Sequence, residues 1–289
     1  MSRNSSVLRI LSVTAIIGLA VVVYLLLFRP WQLRWGATDE EISRPMPGDE
    51  LVPDPTFNAT RAVTIKASPE EIWPWLVQMG YGRAGFYGYD LIENLGSKRG
   101  LHSAESILPE LQQLAVGDDM PISIIATYVI HSIEPNRFLV WADANEGGGA
   151  FTWGLYSIDE SHTRLIFRFR FRHSWIDWLL TDWADHIAAQ KMLLGVKDRV
   201  EGRVEPMAVQ NAEIALWGVA FLEFIAAIIL IFIRQLWRRG GLVALAAVSV
   251  LLIVLFLHPP LWIGILLEIG ILAGLIWSHQ SSNGAPARR

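Results

Sequence analysis

The side chains that usually carry chemistry are sparse in this 289-residue chain, and their spacing excludes more than it offers. Cysteine is absent, which removes thiolate nucleophiles, disulfides and Cys-ligated metals. The histidines at 102, 131, 162, 173 and 186 are scattered. No H-E-x-x-H, G-x-S-x-G, P-loop or dinucleotide fingerprint occurs. Asp182 and His186 stand four apart in a helical pattern and could form a base–orienter pair, although such pairs are more often surface contacts. On this reading no residue takes a catalytic role, and neither a metal site nor a cofactor is expected.

Binding chemistry is better represented. Tyr87, Tyr89 and Asp90, followed by Glu93, Lys98, Arg99 and His102, form a polar cluster with aromatic neighbours. Such a group either orients a ligand headgroup or is an ordinary solvated loop. Trp141, Trp153 and Tyr156 fall in alternating segments, where rings either line a cavity and stack on a planar ligand or fill a core. Trp153 and Tyr156 differ by three positions, so they point to opposite faces of one strand and at most one can face a cavity. In LIFRFRFRH, Leu165, Phe167, Phe169 and Phe171 share one face while Arg168, Arg170 and Arg172 share the other. That basic strip reads as a solvated face, or as one that meets anionic headgroups. Glu223 and Glu268 sit inside apolar runs, as neutral acids hydrogen-bonded across a helix interface or as a proton or headgroup site.

The elements that must position these residues follow from periodicity. ATRAVTIKA alternates and is rich in β-branched residues, a strand. SPEEIWPWLVQMG begins a helix, with Ser68 as cap, Pro69 at its first position, Glu71 completing a capping box and Pro74 kinking it. A short helix is expected over YDLIENLG. ISIIATYVIHSIE, RFLVWADA, AFTWGLYSID and TRLIFRFRFR then alternate with period two, separated by turn residues, and predict an antiparallel meander. A long helix over residues 174–202 closes the domain, with an apolar stripe through Trp175, Leu179, Trp183 and Ile187, broadened by Ile176, Leu180 and Leu194.

Apolar residues make up 52% of the chain and charged residues only 18%, and the deficit of charge is concentrated at the ends. Residues 10–28 carry no charge and would span about 28 Å as a helix, close to the hydrocarbon thickness of a bilayer. Residues 214–233, 242–257 and 261–277 offer three more spans, the last two separated by His258-Pro259-Pro260. A model of about four spans puts Arg3, Arg9, Arg234, Arg238, Arg239, Arg288 and Arg289 on one side. By the positive-inside rule both termini are then cytoplasmic, and the middle domain lies outside the cell membrane. A net charge of −4 excludes a strongly basic nucleic-acid binder. The expected organisation is an anchor (1–34), an extended acidic, proline-containing linker (35–58), a folded domain (59–205), a region of about three membrane helices (212–279) and a tail (280–289).

ATRAVTIKASPEEIWPWLVQMG at the front and AAQKMLLGVKDRVEG in the closing helix resemble the SRPBCC superfamily, the START, birch-allergen and polyketide-cyclase group. The lead-in WGATDEEISRPMPGDELVPDP is similar to its membrane-anchored members. The resemblance implies an α+β helix-grip fold, a curved antiparallel sheet around a long C-terminal helix, here flanked by transmembrane helices. It also implies an apolar cavity between sheet and helix whose mouth is rimmed by the region of Tyr87, Tyr89 and Asp90. Members range from lipid carriers to aromatase/cyclases, so the fold does not choose an activity.

The expected function is a membrane-tethered domain that binds a hydrophobic small molecule, a lipid or isoprenoid, for sensing or transfer. Tyr87, Tyr89, Asp90, Trp141 and Trp153 are its candidate ligand contacts, and its partners are the bilayer and that ligand. An enzymatic alternative, a cyclase or dehydratase, needs a general acid or base such as Asp90, His131 or Asp143 inside the pocket. A third alternative is a structural or regulatory membrane protein centred on Glu223 and Glu268.

Overall fold

Alternation of inward and outward side chains builds six strands: β1 (Phe57–Ile65), β2 (Asp119–Pro121), β3 (Thr127–Glu134), β4 (Phe138–Asp143), β5 (Gly149–Asp159) and β6 (His162–Phe171). The structure is a computed structural model and describes residue 18 and residues 22–143, 148–172, 177–234 and 237–283. It divides into two compact units, residues 1–204 and 205–289.

In the first unit the strands form one antiparallel sheet in the order β1-β6-β5-β4-β3-β2. Short helices α1 (Arg29–Leu33) and α2 (Asp39–Ser43) precede the sheet, α3 (Pro69–Gln78) and α4 (Asp90–Glu93) follow β1, and the long helix α5 (Asp177–Val200) closes the unit. α5 packs across β1 and against α3, so the unit is an α+β sheet-and-helix arrangement of the helix-grip type. The capping box at α3 is present, with the Ser68 amide donating to Glu71 at 2.8 Å. Pro74 lies inside α3.

Cross-strand register makes an aromatic ladder. Trp141 of β4 lies opposite Phe151 of β5, and Phe151 opposite Phe169 of β6. Phe151 and Phe169 stack at 4.1 Å between ring centroids, and Trp153 meets its partner Phe167 at 4.4 Å. These rings share the sheet face that α5 covers.

The opposite face corrects the expectation for the arginine strip. The linker lies on it, and Arg168 is only 4% exposed. Arg168 pairs with Asp49 at 2.7 Å and donates to the carbonyls of Glu41, Ile42 and Arg44. Arg164 pairs with Glu41 at 2.6 Å and Arg170 with Asp49 at 3.0 Å, while Arg172 stays at the edge near Asp54. The acidity of the linker complements the strip, so Arg168 and Arg170 are neither free nor solvated, and Arg172 alone of the three stays half-exposed. Nor is residue range 35–58 simply extended, because it contains α2, capped by Thr38, and a turn at Asp49–Leu51.

Two further differences concern element bounds and faces. Residues 122–126 form an exposed turn instead of the start of β3, leaving Ile124 and Ile125 in the open. The buried face of α5 runs through Asp182, His186, Ala189, Leu193 and Val196, each at most 2% exposed. The expected stripe through Trp183 and Ile187 is only half-buried. Trp175 and Ile176 lie outside the described residues. The helix is rotated because Asp182 and His186 find polar partners inside.

The second unit holds α6 (Met207–Arg234), α7 (Trp237–Leu257) and α8 (Leu261–Asn283), which pack on one another. The break at His258-Pro259-Pro260 falls where the double proline requires it. Small and medium side chains (Ala227, Val243, Ala244, Ala247) make the interior, while Phe221, Leu222, Leu245, Ile269 and Trp277 point outward. Only one described helical stretch, Met207–Ile229, is long and apolar enough to cross a membrane. Gly241–Leu257 and Leu261–Trp277 are apolar but shorter, so the expected four spans are not reproduced. Most of residues 10–28 lie outside the described residues; Val22–Phe28 within them are helical, with Leu26 and Leu27 well exposed.

Candidate ligand-binding cavity

α5 presents Thr181, Ala184, Ala188 and Ala189 at helical spacing toward the aromatic face of the sheet. Small side chains there cannot fill the space that Trp141, Phe151, Trp153 and Phe169 leave, and a cavity of about 380 Å³ results. That is within the roughly 300–1,000 Å³ typical of small-molecule sites. A wider groove of about 910 Å³ lies beside Arg44, Tyr156 and Arg164. Its arginines are already paired, Arg164 with Glu41, Arg44 with Glu40 and Arg137 with Glu134. The aromatic cavity is therefore the better candidate.

Polar groups in its wall are few. Glu93, at the end of α4, is largely buried, and desolvation pushes its carboxyl up from 4.5 to about 7. Hydrogen bonds from the backbone of Tyr89 and Gly88 act against that shift, Gly88 donating to Oε2 at 3.1 Å. A Cβ at position 88 would lie 2.3 Å from Glu93 Oε1, so a larger residue there would displace the Glu93 carboxyl from this place. Asp185 of α5 is the second carboxylate. Burial raises its pKa, opposed by Arg61 of β1, which pairs with it at 2.6 Å. Tyr128 also lines the cavity, and burial, then the Asp143 charge, push its phenol up to about 12, so it stays neutral. Trp141 and Trp153 are each 1% exposed, and neither indole Nε1–H meets an acceptor among the described residues.

Behind Asp185 a polar network joins α5 to the N-terminal segment. Arg61 is fully buried and donates to the Gln32 carbonyl at 2.8 Å. Asp182 pairs with Arg29 at 2.5 Å and accepts from the Tyr24 hydroxyl at 3.2 Å. The same Gln32 carbonyl lies 3.2 Å from His186 Nδ1. Asp182 and His186 are thus buried inside this network and are not a surface pair. Burial raises the pKa of Asp182, against the pull of Arg29.

The candidate contacts read from sequence separate into two groups. Trp141 and Trp153 line the cavity, and Trp153 faces inward while Tyr156 lies outside under Arg44. Tyr87, Tyr89 and Asp90 are buried but do not line it. The Tyr87 hydroxyl donates to the Trp75 carbonyl at 3.0 Å, and Arg199 lies over its ring. Asp90 accepts from the Ser103 amide and hydroxyl. Lys191 stands over the ring of Tyr89. These residues dock the 80–104 loop on α5. Of the acids and bases suggested for catalysis, Asp90, His131 and Asp143 do not line the cavity.

Glu223 and Glu268 are buried, 7% and 5% exposed, and interact across the α6–α8 packing. No cluster of three or more metal-ligating side chains occurs among the described residues.

Sequence reading passed over Arg61 and Asp185 and did not single out Glu93 from its cluster. A signal for Arg61 exists: in FNATRAVTI it occupies an inward position between Ala59 and Val63, where a charge requires a partner. The alternation of small residues in TDWADHIAAQKM signals the hollow under α5.

No protein-family model matches the chain, and no curated protein sequence matches it. Solved structures of similar arrangement include the Aha1 dimer from Colwellia psychrerythraea, 18% identical, with a TM-score of 0.33 over 50% of this chain and 96% of that one. A polyketide-cyclase-like protein of Corynebacterium glutamicum is 14% identical, with a TM-score of 0.30 over 50% of this chain and 91% of its own. A protein of Thermobifida fusca is 10% identical, with a TM-score of 0.34, covering 52% and 97%. The fold described above rests on strand order and on the closing helix, and these likenesses add no activity to it.

Proposed function

We propose that this protein is a membrane-tethered domain of the SRPBCC type that holds a hydrophobic small molecule, lipid or isoprenoid in size, for sensing or transfer. The observation that carries the reading is the aromatic cavity of about 380 Å³ between sheet and α5, with only a few polar groups in its wall. Tethering draws support from Met207–Ile229 and from the second unit's pattern of small residues inside and large apolar ones outside. We place about four spans in the cell membrane and the cavity domain on its outer face, on the distribution of arginines.

Native mass spectrometry of the full chain released from detergent tests the reading. A co-purifying adduct of lipid mass is expected, and Ala188→Trp, which fills the cavity, is expected to lose it. A wild-type chain that is always clean, or an adduct that survives Ala188→Trp, would sink the proposal.

One observation favours a second reading, proton transfer on a bound substrate: Glu93 lines the cavity with a carboxyl that titrates near neutrality. It predicts that α-tetralone exchanges its α-protons in D2O faster with the wild type than with Glu93→Gln, as followed by NMR. Equal rates would remove it.

A further inference from the structure

Two elements that build the cavity wall also carry large apolar side chains on the outside. The turn between β2 and β3 gives Ile122 to the wall and leaves Ile124 72% and Ile125 91% exposed. α4 gives Glu93 to the wall and leaves Ile92 54% exposed, with Leu95 just beyond it at 66%. The two elements meet at Gly96, where a Cβ would lie 3.3 Å from the Ile124 Cδ1 and 3.3 Å from the Tyr81 hydroxyl. That hydroxyl donates to the Leu95 carbonyl at 3.2 Å. Single exposed hydrophobic residues are ordinary, but a contiguous group beside a cavity marks an interaction surface.

Composition, backbone and charge choose the occupant. Ile92, Leu95, Ile124 and Ile125 are all aliphatic, whereas the cores of protein interfaces are enriched in aromatic residues and arginine. β2 is the edge strand, only three residues long, and ends in Pro121, which has no N–H to offer a further strand. Pairing with a second copy through this edge is therefore disfavoured. The groove that Gly96 and Ile124 share is lined by two cations, Arg83 and Lys98, against one acid, Asp119. Arg83 directs its hydrogen bonds to the carbonyls of Val77, Met79 and Leu111, not to a carboxylate. The neighbouring Asp118 accepts from the Ala115 amide. An aliphatic tip backed by cations matches a bilayer surface, where apolar groups enter the acyl boundary and cations meet anionic headgroups. Resting on the tethered reading above, we propose that this lip, Ile124 and Ile125 with Ile92 and Leu95, inserts into the surface of the bilayer. A hydrophobic ligand then passes between membrane and cavity without crossing water.

Fluorescence of single labelled sites tests this, because the chain has no cysteine of its own. Ile125→Cys, Ser161→Cys and Leu222→Cys are each labelled with a nitrobenzoxadiazole probe, in the full chain in nanodiscs of phosphatidylcholine and phosphatidylglycerol. Ser161 is the aqueous control, since its turn lies at the end of the meander opposite to Ile125. Leu222, exposed on Met207–Ile229, reports the tether. The probe at 125 is expected to emit to the blue of that at 161 and to lose most of its emission to lipids carrying a nitroxide near the headgroup. Iodide should quench 161 and spare 125, and Lys98→Glu should weaken the lipid quenching at 125. Iodide quenching at 125 equal to that at 161, with 222 quenched by lipid, would overturn the lip and leave the tether in place. A blue-shifted probe at 125 that no lipid quenches would mean that protein covers the lip, and would overturn it too. Absence of lipid quenching at 222 would overturn the tethered reading itself.

Discussion

Glu93 shows how burial, reinforced by the neighbouring Asp90 charge, can change what a side chain does. Its folded-state pKa, about 7, lies above the ordinary 4.5, so the folded chain holds a proton that the unfolded chain releases. The associated stability is fully present below about 4.5 and is lost as pH rises to about 7. Melting temperatures at pH 5 and pH 8 should therefore differ more for the wild type than for Glu93→Gln; equal differences would mean that Glu93 titrates normally. Gly195 makes the opposite kind of demand, on space. A Cβ there would lie 1.9 Å from the Tyr87 carbonyl oxygen, where the 80–104 loop meets α5, and Tyr87 itself has φ +66°. Gly195→Ala should lower stability by about 1–3 kcal/mol in chemical denaturation, because backbone on both sides must move.

At the scale of elements, the ion pair between Arg61 of β1 and Asp185 of α5 ties the sheet to its closing helix beside the cavity. Removing one partner strands a buried charge, at a cost of about 3–5 kcal/mol, whereas replacing both by apolar residues can be close to neutral. Arg61→Leu and Asp185→Leu should each destabilise strongly, and the double variant should recover most of the loss. Additive losses in a double-mutant cycle would show that the two side chains act separately. The linker follows similar logic on the other face, where Asp49 is shared by Arg168 and Arg170. Asp49→Asn should expose residues 35–58 to limited proteolysis while the sheet stays intact; an unchanged cleavage pattern would mean that backbone contacts hold the linker unaided.

For the whole molecule, the absence of native cysteine makes topology directly readable. Ser161→Cys, in the turn between β5 and β6, should react with a membrane-impermeant maleimide on intact cells, and Ser2→Cys only after permeabilisation. The reverse pattern would invert the proposed orientation, and labelling of both on intact cells would mean that the first apolar segment does not cross.

Local signals determined the strands of the meander, the cap of α3, the proline break between α7 and α8, and the placement of Trp153 and Tyr156 on opposite faces of one strand. Each depends on periodicity or on a residue's own backbone preference, which neighbours far along the chain do not change. Which buried residue meets which was decided only by the tertiary structure. Phe151 reaches Phe169 through strand register, Arg61 reaches Asp185 across 124 positions, and Glu41 and Asp49 reach the arginines of β6 through the path of the linker. Tyr87, Tyr89 and Asp90 carry the residue types of a pocket rim, yet they pin a loop, because α5 brings Arg199 and Lys191 over the two tyrosine rings and Asp90 accepts from Ser103. Glu93, three positions after Asp90, comes to the cavity wall instead, which composition cannot show.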